Sequence, residues 1–103
     1  MGVGCGIYYN DYYAWIRISV TGLNAAANTD LKDVIKYPAA VGVNVYGYRH
    51  TGSVLTSSWR PSSTQYYLSL GGDGVTLRVS AAVSNGVIAA DMCIPAAWLN
   101  ITG

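Results

Sequence analysis

The residues that could do chemistry are few. His50 is the single histidine, the carboxylates are Asp11, Asp30, Asp33, Asp73 and Asp91, and there is no glutamate. A metal centre needs three or four His, Cys or carboxylate ligands at close spacing, and these residues are scattered singly, so neither a metal nor a cofactor is expected. A serine nucleophile would need a strained elbow to present its hydroxyl, and no such motif is present. Glycoside hydrolysis needs two facing carboxylates. Asp30 and Asp33 read as the first turn of a helix, Asp73 as a turn residue and Asp91 as the partner of Arg78, which leaves Asp11 without a structural role. No residue is assigned as catalytic, and the chain is expected not to be an enzyme. Gly71-Gly72-Asp73-Gly74 lacks the lysine of a phosphate loop and joins two strand-like segments, so it reads as a hairpin turn. Asn100-Ile101-Thr102 is read as a chance match to a glycosylation sequon. Cys5 and Cys93 lie among small and apolar neighbours and read as free thiols, with a disulfide between them the alternative.

Binding is better supported than catalysis. Tyrosine occurs nine times and phenylalanine never. Phe is the purer core residue, whereas Tyr and Trp offer a flat apolar body with a polar handle, as contact surfaces do. Tyr46, Tyr48 and His50 share one strand face with Asn44, and Trp59 and Arg60 lie on a nearby connection. Rings stacked on sugar faces, with Asn44, His50, Arg60 and the unexplained Asp11 bonding hydroxyls, would make a saccharide site. The structural alternative is that this face packs on a neighbouring subunit or a second sheet.

The elements that must position these residues read as strands. Val75, Leu77, Val79, Ala81 and Val83 alternate with polar or small residues, and Asn85-Gly86 is a strong two-residue hairpin signal. The predicted register pairs Val83 with Ile88, Ala81 with Ala90, Val79 with Met92 and Leu77 with Ile94, and brings Arg78 near Asp91. Tyr12 to Leu23 alternates Ala14, Ile16, Ile18 and Val20 with Trp15, Arg17, Ser19 and Thr21. It follows a short Gly-punctuated strand, Val3 to Tyr9, read as an edge or a subunit contact. Tyr8, Tyr9, Tyr12 and Tyr13 flank the Asn10-Asp11 turn, giving an aromatic-tipped hairpin. Leu31, Val34 and Ile35 sit at helical spacing behind Asn28-Thr29-Asp30, predicting one short helix near residues 29–36. Val41 to His50 reads as a third strand, Thr51-Gly52-Ser53 as a turn and Val54 to Trp59 as a further strand. Arg60 to Thr64 reads as a loop and Tyr66 to Leu70 as another strand. Pro95 to Leu99 reads as one helical turn tucking Trp98 against the core. About seven short strands with regular turn signals indicate a single all-β domain over residues 1–103, an antiparallel β-sandwich or small barrel.

Composition limits the partners. Hydrophobic residues make up 51% of the chain and charged ones 11%, against a usual charged share of about a quarter, so part of the surface is expected to be buried against other subunits. The six basic residues form no stripe, which argues against nucleic acid. No apolar run approaches the ~20 residues of a spanning helix, so no membrane insertion is expected.

The run Gly22-Leu23-Asn24-Ala25-Ala26-Ala27-Asn28-Thr29-Asp30, the Val-Gly-Tyr segment Val41 to Tyr48 and the closing Ile94-Pro95-Ala96-Ala97-Trp98-Leu99 resemble the C-terminal tip domains of phage tail fibres and tailspikes. That resemblance implies a homotrimeric β-sandwich at the distal end of a fibre, the C-terminal fragment of a longer chain. It further implies a non-enzymatic domain acting on the virion outside the cell, which binds a bacterial surface saccharide or outer-membrane protein. The alternatives are a structural virion or decoration protein, a small protein-interaction module, or a monomeric lectin.

Overall fold

The computed structural model of the protein describes residues 1–44 and 48–101. Its strands are β1 Gly2–Tyr9, β2 Tyr13–Ala25, β3 Leu31–Lys36, β4 Val41–Val43, β5 Arg49–Leu55, β6 Pro61–Leu70, β7 Gly74–Val79, β8 Val83–Pro95 and β9 Leu99–Ile101. A 3-10 turn, Ala96–Trp98, links the last two strands. The seven-stranded sheet runs β1-β2-β8-β5-β6-β7-β3, and β4 pairs with β9 in a small second sheet. All neighbours are antiparallel. β8 and β5 meet at one pair, Leu55 opposite Val87. There the sheet folds over, and its far edge β1 returns towards β3, so the sheet is nearly closed. The all-β antiparallel architecture read from the sequence is the one observed.

Alternation builds the core. Ala14, Ile16, Ile18 and Val20 of β2 lie opposite Ile94, Met92, Ala90 and Ile88 of β8, and all eight are buried. They face Leu68 and Leu70 of β6 and Val75, Leu77 and Val79 of β7 across one continuous core. Each fully buried aliphatic side chain of this kind contributes about 1.5–3 kcal/mol. The outward residues of β2 and β8 carry polarity instead, with Arg17 directly opposite Asp91 and their charged groups 3.6 Å apart.

Several local expectations are corrected. The segment predicted as a helix, residues 29–36, forms strand β3 instead. Leu31 and Ile35 are four residues apart yet pair with Leu77 and Val75, which are two apart. The surplus is taken up by a bulge in which Asp33 adopts φ 51°, so an apolar spacing of four comes from a bulged strand. The predicted hairpin at Asn85-Gly86 does not form. β7 lies between β6 and β3, and β8 between β2 and β5. Asn85 has the expected positive φ of 53°, but it sits where β8 loses register against β2 between Leu23 and Ala25. Gly86 is buried there, and a Cβ on it would lie 2.4 Å from Val83 Cγ1. Arg78 pairs with Asp30 at 3.5 Å and donates to the Asn28 carbonyl at 2.8 Å, not to Asp91. Thr51-Gly52-Ser53 is no turn but the middle of β5, where the bare Gly52 admits the Tyr66 ring: a Cβ would lie 2.5 Å from the Tyr66 hydroxyl. The turn after β5 is residues 56–60, and β6 starts at Pro61, inside the predicted loop.

Other readings hold. β1 is a sheet edge and pairs with β2 from Gly2↔Thr21 to Tyr9↔Ala14 without a register shift. Gly71–Gly74 closes the β6–β7 hairpin through Gly71 N–H to Gly74 O at 2.9 Å. Trp98 is half-buried and packs against the core. Cys5 points inward from β1 and is half-buried, whereas Cys93 points outward from β8 with β2 between them. Two thiols on opposite faces cannot form a disulfide without moving the backbone, and both are free.

Candidate functional site

Exposed aromatic surface gathers on the β1–β2 hairpin. Asn10 turns the chain: its side-chain oxygen accepts from the N–H groups of Tyr12 and Tyr13, both at 2.8 Å, and its own N–H donates to Tyr13 O at 2.9 Å. The Tyr12 carbonyl accepts from Ala96 N–H at 2.9 Å, which ties the hairpin tip to the end of β8. A three-residue loop so braced holds its side chains in place. Asp11 sits exposed at this tip.

The face carrying Trp15 and Arg17 is the outer one. Tyr8 of β1 lies directly opposite Trp15, and the rings of Tyr13 and Trp15 are 6.3 Å apart at 50°. Gly6 has no side chain, so the Tyr8 ring lies over it. The Arg17 guanidinium is placed 5.7 Å from the centre of that ring, within cation–π range, and Asp91 holds its other side. Tyr8, Tyr9, Tyr12 and Tyr13 are each more than half exposed, and Trp15 is 37% exposed. The result is a rigid aromatic platform edged by a cation and two carboxylates. It can stack on the apolar face of a sugar ring or receive a protein surface while its charged edge bonds hydroxyls.

The residues singled out from the sequence are not assembled in one place. Asp11 belongs to the hairpin platform. Asn44 is exposed and donates its N–H to Trp98 O at 2.8 Å. The Tyr48 ring is half-buried and packs edge-on to Trp98 at 5.5 Å, so it serves the core. His50 points inward, half-buried, with its ring 5.9 Å from that of Tyr66. Trp59 and Arg60 are exposed on the β5–β6 turn, at the opposite end of β5 from Arg49. Tyr46 lies outside the described residues.

Tyr8, Tyr13, Trp15 and Arg17 were legible as an aromatic-tipped hairpin with Trp15 and Arg17 on its polar face. What the sequence hid was Asp91 beside Arg17, because β8 pairs with β2 and not with β7.

A second concavity lies at the Trp59 end, a pocket of about 240 Å³ between the β5–β6 turn and residues 82–86. Thr56, Ser57, Ser62, Thr64 and Ser84 line it with hydroxyls around Val54, Leu55 and Val83. The Ser62 hydroxyl already donates to Val54 O at 2.6 Å. Among the described residues, no ionisable side chain lines this pocket. Among the described residues, no group of three or more His, Cys, Asp or Glu side chains is placed to hold a metal ion. No helix among them is long and apolar enough to cross a membrane. No family model, curated protein or solved structure matches the chain.

Proposed function

We propose that the protein is a non-enzymatic receptor-binding domain of the phage tail-fibre tip kind, attaching through the outer face of its β1–β2 hairpin to a bacterial surface saccharide or outer-membrane protein. The observation that carries this reading is the concentration of Tyr8, Tyr12, Tyr13 and Trp15 on one braced hairpin beside Arg17 and Asp11. A fold gains nothing from leaving four large aromatic side chains exposed at one end, whereas a binding surface does. In this reading the chain acts on the virion, outside the host cell.

The test is binding of labelled protein to bacterial cells and to arrayed surface glycans. Trp15→Ala and Tyr13→Ala are expected to weaken binding by about tenfold or more, the cost of a central aromatic contact. Both variants should leave the circular dichroism spectrum unchanged. Retained binding in both would remove the hairpin from the argument. Loss of association with another virion protein, with cell and glycan binding absent throughout, would favour the structural or protein-interaction reading, for which the same aromatic face would be the docking surface.

A further inference from the structure

Resting on the receptor-binding reading above, we propose that the outer face of β1, β2 and β8 takes a neutral oligosaccharide, laid along the strands from the aromatic rings to a low shelf of small residues. Directly opposed residues of an antiparallel pair project to the same side, so the two registers fix this face row by row. Tyr13 lies opposite Pro95. The next row is Tyr8, Trp15 and Cys93, and the one after it Gly6, Arg17 and Asp91. Beyond them come Gly4, Ser19 and Ala89, all exposed. A Cβ on Gly4 would meet only Ser19 Cβ, at 3.9 Å, so the shelf is open. The aromatic platform thus continues past the hairpin onto β8 and ends in a step down from rings to glycine and alanine.

Charge selects a neutral ligand. Arg17 is the one cation in these rows, and Asp91 at 3.6 Å and the Tyr8 ring at 5.7 Å already engage it. Asp11, exposed at the hairpin tip, adds a further negative charge. An acidic or phosphorylated sugar would meet two carboxylates and no unpaired cation. A neutral sugar hydroxyl both donates and accepts, so it can donate to Asp91 and accept from Arg17 without breaking the pair. Area selects a saccharide over a protein. Strands spaced about 4.8 Å apart, and the run from Tyr13 to Ser19 at about 3.3 Å per residue, make a face of roughly 10 Å by 20 Å. Those roughly 200 Å² fall well short of the ~800 Å² that each partner gives to a specific protein interface. Several sugar rings laid end to end along the strands would fill them.

The experiment is binding of labelled protein to arrayed neutral and acidic bacterial glycans, with whole cells treated with periodate or with protease in parallel. Neutral oligosaccharides are expected to bind and acidic ones to be rejected, and periodate but not protease should abolish cell binding. Asp91→Asn frees Arg17 at an exposed site where the pair adds little to folding. It is expected to admit acidic glycans about tenfold better than the parent. Ala89→Trp fills the shelf and should weaken neutral oligosaccharide binding by about tenfold or more while preserving the circular dichroism spectrum. Should that variant fail to fold, brief maleimide labelling of the exposed Cys93 in the native protein obstructs the middle row, with the same loss expected. The proposal is overturned, with the receptor-binding reading left standing, by a parent protein that prefers acidic glycans or by cell binding that protease removes and periodate spares. Neutral binding that neither obstruction disturbs, or an Asp91→Asn protein that still rejects acidic glycans, would overturn it equally. Absence of binding to every glycan and to untreated cells would overturn both.

Discussion

Single residues decide local strain and space in this molecule. Gly52 is bare because Tyr66 occupies the place of its side chain, and Tyr66 is itself buried. Gly52→Ala is expected to lower stability by about 1–3 kcal/mol through overpacking, read from a urea midpoint. Trp59 is the reverse case, a bulky exposed residue held at φ 62°. The left-handed region costs such a residue about 1–2 kcal/mol, so Trp59→Asn, which tolerates that backbone, should raise the melting temperature. A Trp59→Asn protein that melts lower would show that its ring makes a contact worth more than the strain. Burial, with Asp33 nearby, pushes the Tyr37 phenol from its ordinary value near 10 up to about 12. The folded state favours the neutral phenol, whose hydroxyl donates to Gly71 O at 2.8 Å. This contribution is complete below pH 10 and is lost as the pH rises from about 10 to 12. Burial also pushes up the Tyr66 phenol, so a phenolate absorbance titration should find late-ionising tyrosine absorbance that Tyr37→Phe reduces and does not abolish.

At the scale of elements, the β1–β2 hairpin depends on one side chain. Asn10 accepts two backbone N–H groups and so substitutes for a longer turn. Asn10→Ala should cost about 1 kcal/mol and speed hydrogen exchange at Tyr12 and Tyr13 while leaving β6 and β7 unchanged. The Arg17–Asp91 pair contributes less. Both side chains are at least half exposed, so a double-mutant cycle should return a coupling of about 0.2–1 kcal/mol, shrinking in high salt. The alternation of each long strand was legible: Ile16, Ile18, Val75, Leu77, Met92 and Ile94 are all on the buried faces that a period of two assigns them. Which strand pairs with which was not. Asn85-Gly86 supports a hairpin turn and a bulge equally well, because both require positive φ. The helical spacing of Leu31, Val34 and Ile35 likewise fits a bulged strand.

For the molecule as a whole, the inner and outer faces of one nearly closed sheet separate the two thiols. Cys93 is exposed and Cys5 is half-buried with its thiol pushed up by burial. A thiol-reactive dye should label Cys93 quickly and Cys5 slowly in the native protein, and both together in denaturant. A native protein with no reactive thiol would contradict the placement of these strands. The distribution of aromatic residues is also a property of the whole molecule. Tyr48, Tyr66 and Trp98 are drawn towards the core, whereas Tyr8, Tyr12, Tyr13 and Trp15 are left outside it.

By itself the sequence determined the class of fold, the inward and outward faces of its strands, the hairpin at Asn10-Asp11 and the edge character of the glycine-punctuated first strand. These follow from local physics: a period of two sorts side chains to opposite faces, and Asn and Gly supply the backbone that turns need. Only the tertiary structure decided the order of strands in the sheet, and with it that Asp91 meets Arg17, that Cys5 and Cys93 are separated, and that His50 and Tyr48 face inward. An apolar strand face is satisfied by any partner of matching length. The choice of β2 for β8 rests on thirteen-residue strands that match along their length and on one charge pair, information spread across the chain.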